Sequence, residues 1–449
     1  PRAAIATQEG PHMSNGSRAA LISRLTPHPM REDLYGELHA RPTQLLDVPL
    51  RASHIACLAT LEEINESRDH MARLARRYAT TAPVPESSFY RGQFGGFELR
   101  WEQHTEFFSV TVIREGVGRE PFEDTAFSLL PEDWIATMPG CLVVATHAAI
   151  CGTDSAAPSP TQLRDWFEGQ LVVGSRITSD RAAAWTTFRM HRDGFCRYLV
   201  QDKGLSPFQA GRTLQRLLEL ETYRVMSLMA LPVARELAVE TTRMDGELAA
   251  IMDRFMTIRS PEDEQALLAD LSSLATLVER HRSATNYRFG ATRAYSRLVV
   301  EILEDLREER FEGMSSMTKF LDRRLGPGVR TCLAMEARLE NLSQRVGRAG
   351  ELLQARINVN IETQNQSLLT AMNRRSRMQL RLQQTVEGLS VAAISYYTIA
   401  LLKLLFDALK GIGVPIRTDY AVGIAVPVVI FGVWRLVRRL RRHIGREDA

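Results

Sequence analysis

The sequence predicts an α+β domain, then a long-helix stalk and a C-terminal two-helix transmembrane hairpin. Three changes of pattern along the 449 residues indicate this order. Residues 27–206 show mostly the period of two that is typical of strands, and residues 207–386 show the steps of three and four that are typical of helices. Residues 387–440 contain two apolar runs, 389–409 and 420–437, each with about the 20 residues that a membrane-spanning helix needs.

The composition is that of an ordinary folded chain, with 45% apolar and 24% charged residues. Five scattered cysteines without a C-x-x-C pair indicate a reducing compartment and argue against a structural zinc site. The net charge of +3 does not indicate a partner, but the basic tail at 441–449 does. Residues 1–26 lack the apolar segment of a signal peptide and are expected to form a disordered tail.

Within the α+β domain, alternating apolar residues predict seven strands, and one helix is expected at 66–80. The strands are expected at 54–61, 97–101, 107–114, 142–150, 171–177, 182–188 and 195–200. Loops rich in Gly, Pro, Ser and Asp separate these segments, so we expect a domain with a core of its own.

The stalk region is punctuated by proline and glycine. Ser260, Pro261 and three following acids are the start signal of a helix. Helices are expected at 208–258 with a kink or break at Pro232, from 261 to about 284, at 292–321, and from Val329, after Gly326, Pro327 and Gly328, to the membrane.

Apolar residues in the last helix recur at the spacing of a coiled-coil seam. They are Leu339, Leu342, Val346, Ala349, Leu353, Ile357, Ile361, Leu368 and Met372. Amides at Asn358, Asn360 and Gln364 dilute this seam. Buried amides can fix register and oligomer number, and a hydrated lumen between the helices of a homo-oligomer is the alternative interpretation.

The first apolar run contains Lys403 and Asp407, which share a helix face because they are four residues apart. They either pair and reach toward the membrane interface or form a polar patch that faces a pore or a helix partner. Arginine flanks both runs, at Arg374, Arg375, Arg377 and Arg381 and then at Arg435, Arg438, Arg439, Arg441, Arg442 and Arg446. The positive-inside bias therefore predicts a multi-pass inner-membrane protein with both termini and the α+β domain in the cytosol.

The arginine cluster after the second run is suited to anionic lipid headgroups. Nucleic acid is the competing partner for such a cluster, but no aromatic or motif context supports it. The predicted partners are therefore the lipid bilayer and further copies of the chain.

Two polar sets in the α+β domain are candidate sites. His28, Arg31, Glu37, His39 and Arg41 form a dense run that either binds a phosphate or carboxylate or is a surface arm. Glu102, His104 and Glu106 alternate along the expected strand and would share one face. They either bind a divalent cation, the one cofactor that the sequence suggests, or form the solvent-exposed face of a sheet.

A third set could bind an anion at a helix start, or only cap and pack that helix. It comprises Asn286, Arg288, Arg293 and Tyr295. The sequence contains no P-loop, dinucleotide fingerprint, nucleophile elbow, zinc-protease or kinase motif, so no catalytic residue is assigned and the interpretation leans away from an enzyme.

Five stretches together resemble a bacterial family of uncharacterised, predicted membrane-anchored proteins that carries a domain-of-unknown-function label. They are HPMREDLYGELHARP from His28, RWEQHTEFF from Arg100, ETTRMDGELAAIMDR from Glu240, YRFGATRAY from Tyr287 and RLQQTVEGLSVAAISYY from Arg381. The resemblance covers the chain from about residue 27 to 440 and implies a membrane anchor but no activity.

The layout also resembles that of CorA-type divalent-cation transporters, which are oligomeric channels. Their Gly-Met-Asn signature is missing, because the matching place reads Lys410, Gly411, Ile412 and Gly413, and selective magnesium transport is therefore not implied. Two hypotheses follow: a homo-oligomeric channel or scaffold in the membrane, or a membrane-tethered enzyme or ligand sensor that uses the arm at 28–42 with His104 and Glu106.

Overall fold

The computed structural model describes residues 25–31, 34–35, 44–85, 87–258, 260–411 and 417–444. It confirms an α+β sheet domain followed by a long helix and a C-terminal helix, both apolar enough to span a membrane. The strands are β1 (Leu50–Leu58), β2 (Phe89–Phe94), β3 (Phe97–Gln103), β4 (Phe107–Glu115), β5 (Cys141–Cys151), β6 (Val173–Ile177), β7 (Ala182–Thr186), β8 (Cys196–Asp202) and β9 (Glu309–Arg310).

These strands form one sheet in the order β2-β3-β4-β1-β5-β8-β7-β6-β9. Neighbouring strands run antiparallel except β5 and β8, which are parallel. Strand β1 lies between β4 and β5 and is buried on both faces, which explains its small residues and its buried histidine, His54. Strand β2 was not expected from the sequence, because Arg91 and Gly92 interrupt its apolar alternation.

The helices are α1 (Leu61–Arg77), α2 (Glu132–Ala136), α3 (Pro160–Trp166), α4 (Pro207–Ser227), α5 (Ala230–Thr257), α6 (Pro261–Asp305), α7 (Met317–Arg324), α8 (Gly326–Gly411) and α9 (Thr418–Ile444). Three of them begin with a capping box, in which the side chains of Thr60, Ser159 and Ser206 accept a hydrogen bond from the third residue of the helix. Helix α9 contains Pro427, which has no N–H to donate to the carbonyl of Gly423.

Two expected breaks in the helical region differ from the observed ones. Residues 208–258 form a helix pair, but the break lies at Leu228 and Met229, and Pro232 lies in the first turn of α5, where no N–H is needed. The break expected between 284 and 292 is wrong, since α6 is one helix of 45 residues. Gly290 lies in its interior without proline nearby, so the glycine lowers helix propensity without ending the helix.

The chain forms two compact units, one of residues up to 253 with 270–347 and one of 254–269 with residues from 348 onward. In the first unit, one sheet face packs against α1 through Ile64, Met71 and Leu74. The other face packs against α4, α6 and α7. The core of the sheet therefore includes helices that follow residue 206 in the chain.

Candidate functional site

A small polar cavity, here the sheet–helix cavity, lies between strands β1, β3 and β4 and helix α4. Its polar lining includes Gln44, His54, Arg100, Glu102, His104 and Thr222. The free volume is about 30 Å³, which is of the order of one water molecule. In this form, the cavity accommodates water or a single ion and no larger ligand.

His54 is the most deeply buried titratable group in this cavity. Its Nδ1 lies 2.8 Å from the hydroxyl of Thr111, and its Nε2 lies 3.1 Å from that of Thr222. Thr222 donates its hydroxyl hydrogen to the carbonyl of Leu218, so Nε2–H must donate to Thr222 and Nδ1 must accept from Thr111. Burial, together with the charge of Arg100, lowers the pKa of His54 to about 3. His54 is therefore a neutral, fully bonded residue without a free nitrogen for proton transfer.

Glu102 and His104 both line the cavity. Glu102 accepts two hydrogen bonds from Arg100, at 2.9 and 2.5 Å. The β3 strand ends at Gln103, so His104 lies in the turn before β4, with its ring stacked on Phe107 at 4.0 Å between centroids. The expectation that the three candidate residues alternate along one strand is therefore wrong.

Glu106 has a different environment from the other two. Its carboxylate accepts hydrogen bonds from both Nη groups of Arg288, at 3.2 and 2.6 Å. It also accepts one from the hydroxyl of Tyr295. Burial, followed by this hydrogen bond, raises the pKa of Tyr295. No group of three or more His, Cys, Asp or Glu with the arrangement of a metal site occurs in the described part of the chain. The divalent cation at Glu102, His104 and Glu106 stays a prediction.

The bidentate pair of Glu106 and Arg288 joins residues 182 positions apart and was not expected from the sequence. Arg288, Arg293 and Tyr295 lie inside helix α6 and not at a helix start, so that part of the expectation is wrong. Arg293 pairs with Glu336. One signal pointed to the pair: both of its residues lie in stretches that carry the family resemblance.

The arm at 28–42 is described only in part. His28 and Arg31 are exposed; His28 Nδ1 accepts a hydrogen bond from Met30 at 3.2 Å, and Arg31 lies over the ring of Tyr35. Glu37, His39 and Arg41 lie outside the described residues. An anion site on this arm stays a prediction.

A second buried histidine, on the other face of the sheet, also lacks access to a ligand. His147 Nδ1 lies 2.8 Å from the hydroxyl of Ser53, which also accepts a hydrogen bond from the amide of Phe127. Burial lowers the pKa of His147 to about 4. Ser53 and His147 are 1% and 4% exposed, so this serine and histidine stabilise the sheet and are closed to a substrate.

The two apolar helices present their side chains to the surroundings. The apolar segment in α8 is 6% buried, and that in α9, Asp419–Arg439, is 0% buried. Aromatic rings lie near both ends of the second segment: Arg417 lies over Tyr420 at 4.8 Å, and Arg438 lies over Trp434 at 4.9 Å. Both helices are long and apolar enough to cross a membrane.

Lys403 and Asp407 are exposed on the apolar part of α8. No ion pair between them is present among the described residues, although they share a helix face. Two charged groups thus lie on an otherwise apolar surface.

The amides of the stalk also lie on the surface of the chain. Asn358 accepts a hydrogen bond from Gln354 at 3.2 Å, Gln364 is exposed, and Asn360 donates to the buried carboxylate of Glu264. The apolar seam changes character along α8. Leu339, Leu342, Val346, Ala349 and Leu353 are buried, whereas Ile361, Leu368 and Met372 are 51%, 60% and 67% exposed.

Comparisons with known proteins assign the chain to a family. No curated protein and no solved structure matches the chain. One family model matches residues 26–444, which is nearly the whole chain. The chain therefore belongs to the family described as "Protein of unknown function (DUF3422)".

Proposed function

We propose that the protein is an integral protein of the bacterial inner membrane that assembles as a homo-oligomer. The observation that carries this proposal is the exposure of the two apolar helices. Only 6% of the apolar segment of α8 is buried, and 0% of that of α9. In water, such a surface would cost about 25 cal/mol for each Å² of apolar area, whereas a bilayer solvates it. The 21 residues of Asp419–Arg439 rise about 30 Å as a helix, which equals the hydrocarbon thickness.

The arginines that flank the two spans support a topology with both termini in the cytoplasm. The cytoplasmic flanks carry Arg374, Arg375, Arg377, Arg381, Arg438, Arg439 and further arginines, whereas the connection offers Lys410 and Arg417 against Asp419. In this arrangement the sheet domain lies in the cytosol, and the basic cluster after the second span contacts anionic lipid headgroups.

Assembly is supported by the surfaces that a single chain leaves exposed. Ile361, Leu368 and Met372 continue a seam whose first half is buried, so a second copy of α8 would complete the seam as a coiled coil. Lys403 and Asp407 would be costly in contact with lipid, at about 2.5 to 3.5 kcal/mol each near mid-membrane. Facing another copy, the two charges can pair between chains or line an axis.

The test is the mass of the protein in detergent or nanodiscs, measured by light scattering with a correction for bound detergent. A ring of four or more copies supports a channel, because a two-helix hairpin alone cannot enclose a pore. Ion flux into vesicles then separates channel from scaffold: substitution of Lys403 and Asp407 by alanine changes the flux of a channel. A monomer contradicts the assembly, and a dimer contradicts a pore built on the hairpin.

A second candidate function is a membrane-tethered ligand sensor or enzyme, favoured by the convergence of Glu102 and His104 on the sheet–helix cavity. A single ion is the ligand that its size admits. Melting of the full chain with Mg²⁺, Mn²⁺ or Zn²⁺ tests this candidate. A rise in melting temperature that His104→Ala abolishes supports it, and the absence of a rise with each of these ions contradicts it.

A further inference from the structure

A larger cavity lies on the first unit, away from the sheet–helix cavity. It is enclosed by the turn between β6 and β7, the first turns of α4 and the C-terminal end of α6, and its volume is about 590 Å³. Pockets of about 300–1,000 Å³ accommodate small-molecule ligands and cofactors. Four arginines line it, Arg181, Arg212, Arg216 and Arg307, so we call it the arginine cavity.

The charge of this cavity is unbalanced. Asp305 is the one acidic residue in the described lining, against four arginines, which leaves an excess of three positive charges. Asp305 pairs with Arg212 and Arg216, and Arg216 also donates to Glu219 at 2.8 Å. These acids hold two of the arginines in place and still leave the cavity positively charged.

Arg181 and Arg307 supply the excess charge. Arg181 donates to the side-chain oxygen of Gln209 at 3.2 Å, and no carboxylate pairs with it in the described part of the chain. Arg307 has no side-chain hydrogen bond or ion pair among the described residues. Both guanidinium groups are exposed, so an anion can reach them. A guanidinium binds phosphate through two parallel hydrogen bonds.

The remaining lining adds neutral donors and one aromatic ring. The hydroxyl-bearing residues Thr178, Ser179 and Thr213 face the cavity, and Phe208 in the first turn of α4 is 47% exposed. An exposed aromatic ring beside a basic cavity offers a stacking surface for a planar base. The positive end of the α4 dipole points to the same place.

We propose that the arginine cavity binds a phosphorylated small molecule of nucleotide size, with its phosphates on Arg181 and Arg307 and its base against Phe208. This proposal does not depend on the membrane topology or on assembly. The volume admits such a molecule, and the excess of three positive charges is of the size that a nucleoside diphosphate neutralises.

Calorimetric titration of the full chain, held in nanodiscs of phosphatidylcholine, tests the proposal with ADP and inorganic pyrophosphate as probes. We expect both probes to bind to the wild type. The double variant Arg181→Gln/Arg307→Gln should have an affinity for each probe that is lower by about tenfold or more. The matched control is Arg119→Gln, which alters an exposed arginine outside the cavity and should leave both affinities unchanged. Equal melting temperatures of the wild type and the variants establish that all are folded.

Phe208→Ala tests whether the base stacks on Phe208. The substitution should weaken the binding of ADP by about fivefold or more and leave the affinity for pyrophosphate unchanged. An equal loss of affinity for both probes would overturn the assignment of Phe208 to the base. If neither probe gives a heat of binding to the wild type, the cavity is not a phosphate site. Binding only to vesicles that contain phosphatidic acid would also overturn the proposal, because the phosphate would then come from a lipid headgroup.

Discussion

The bidentate pair of Glu106 and Arg288 joins the turn between β3 and β4 to helix α6. The side chain of Glu106 is 9% exposed and that of Arg288 is 23% exposed, so the pair is largely screened from water. Tyr295 donates a third hydrogen bond to the same carboxylate and stacks on Tyr223 at 5.6 Å. Loss of either charge would leave the other one desolvated without a partner.

We expect Arg288→Met to lower the free energy of unfolding by about 3 kcal/mol, since it leaves Glu106 buried and unpaired. Urea unfolding of the full chain in detergent, followed by the intrinsic tryptophan fluorescence to which the buried Trp101 contributes, measures the change. Arg243→Met is the matched control, because Arg243 pairs with Glu240 and Glu247 on an exposed helix face and should cost no more than about 1 kcal/mol. Equal losses in the two variants would contradict a special role of the Glu106 pair.

The buried His54 makes stability depend on pH. Below pH 6.5 the unfolded chain takes up a proton that folded His54 does not accept until about pH 3. The free energy of unfolding therefore falls as the pH falls through this window, by about 2 kcal/mol between pH 7 and pH 5 for this residue alone.

His54→Gln removes this titration, and its side-chain amide can still donate to Thr222 and accept from Thr111. The expected result is a smaller loss of unfolding free energy between pH 7 and pH 5 than in the wild type, measured by urea unfolding at both values. His28→Gln, at an exposed position, should follow the wild type. An unchanged pH dependence in His54→Gln would contradict this prediction, because it would show that His54 has the same pKa in the folded and the unfolded chain.

At the scale of elements, the starts of helices could be predicted from the sequence more reliably than their ends. The predicted start at Ser260 and Pro261 begins α6, because a serine cap and a first-turn proline act on neighbouring residues alone; Ser206 with Pro207, a signal not used in the prediction, begins α4 in the same way. Ends and interruptions were less predictable. The interval 284–292 was expected to be a break and lies inside α6. The alternation from Glu102 to Glu106 was expected to be one strand, but β3 ends at Gln103 and a turn follows, because tertiary packing decides both.

Helix α8 gives a test of assembly at this scale. Leu368→Glu with Met372→Glu places two charges on the exposed half of the seam and should reduce the mass of the complex in detergent, because a carboxylate in a coiled-coil core is strongly unfavourable. Gln366→Glu, at an exposed and already polar position on the opposite face of α8 from Leu368, should leave the mass unchanged. Equal masses for all three proteins would contradict assembly through this part of α8.

The whole molecule shows which information the sequence lacked. The order of regions followed from periodicity and from the two apolar runs, because each of these signals is local. The sites did not follow, since they join distant residues: His54 meets Thr222 across 168 positions, and the arginine cavity joins a hairpin turn to two helix ends. The charged residues of that cavity are scattered along the sequence and form no motif.

Membrane topology is the prediction that belongs to the whole molecule. All five cysteines precede the first span, so none should react with a membrane-impermeant maleimide in intact spheroplasts. We expect Arg417→Cys, in the connection between the spans, to be labelled there, and Arg438→Cys to be labelled only after permeabilisation. Labelling of the exposed Cys141 after permeabilisation is the internal control, and labelling of Arg438→Cys without it would reverse the proposed orientation.

Pro427 makes one turn of the second span chemically different from the rest. The carbonyl oxygen of Gly423 has no intrahelical donor, because residue 427 has no amide hydrogen. In hydrocarbon, such an oxygen needs a water molecule or a donor from another helix. In the proposed membrane topology, the turn at Gly423 is thus the place where this helix can bend without breaking a further backbone hydrogen bond.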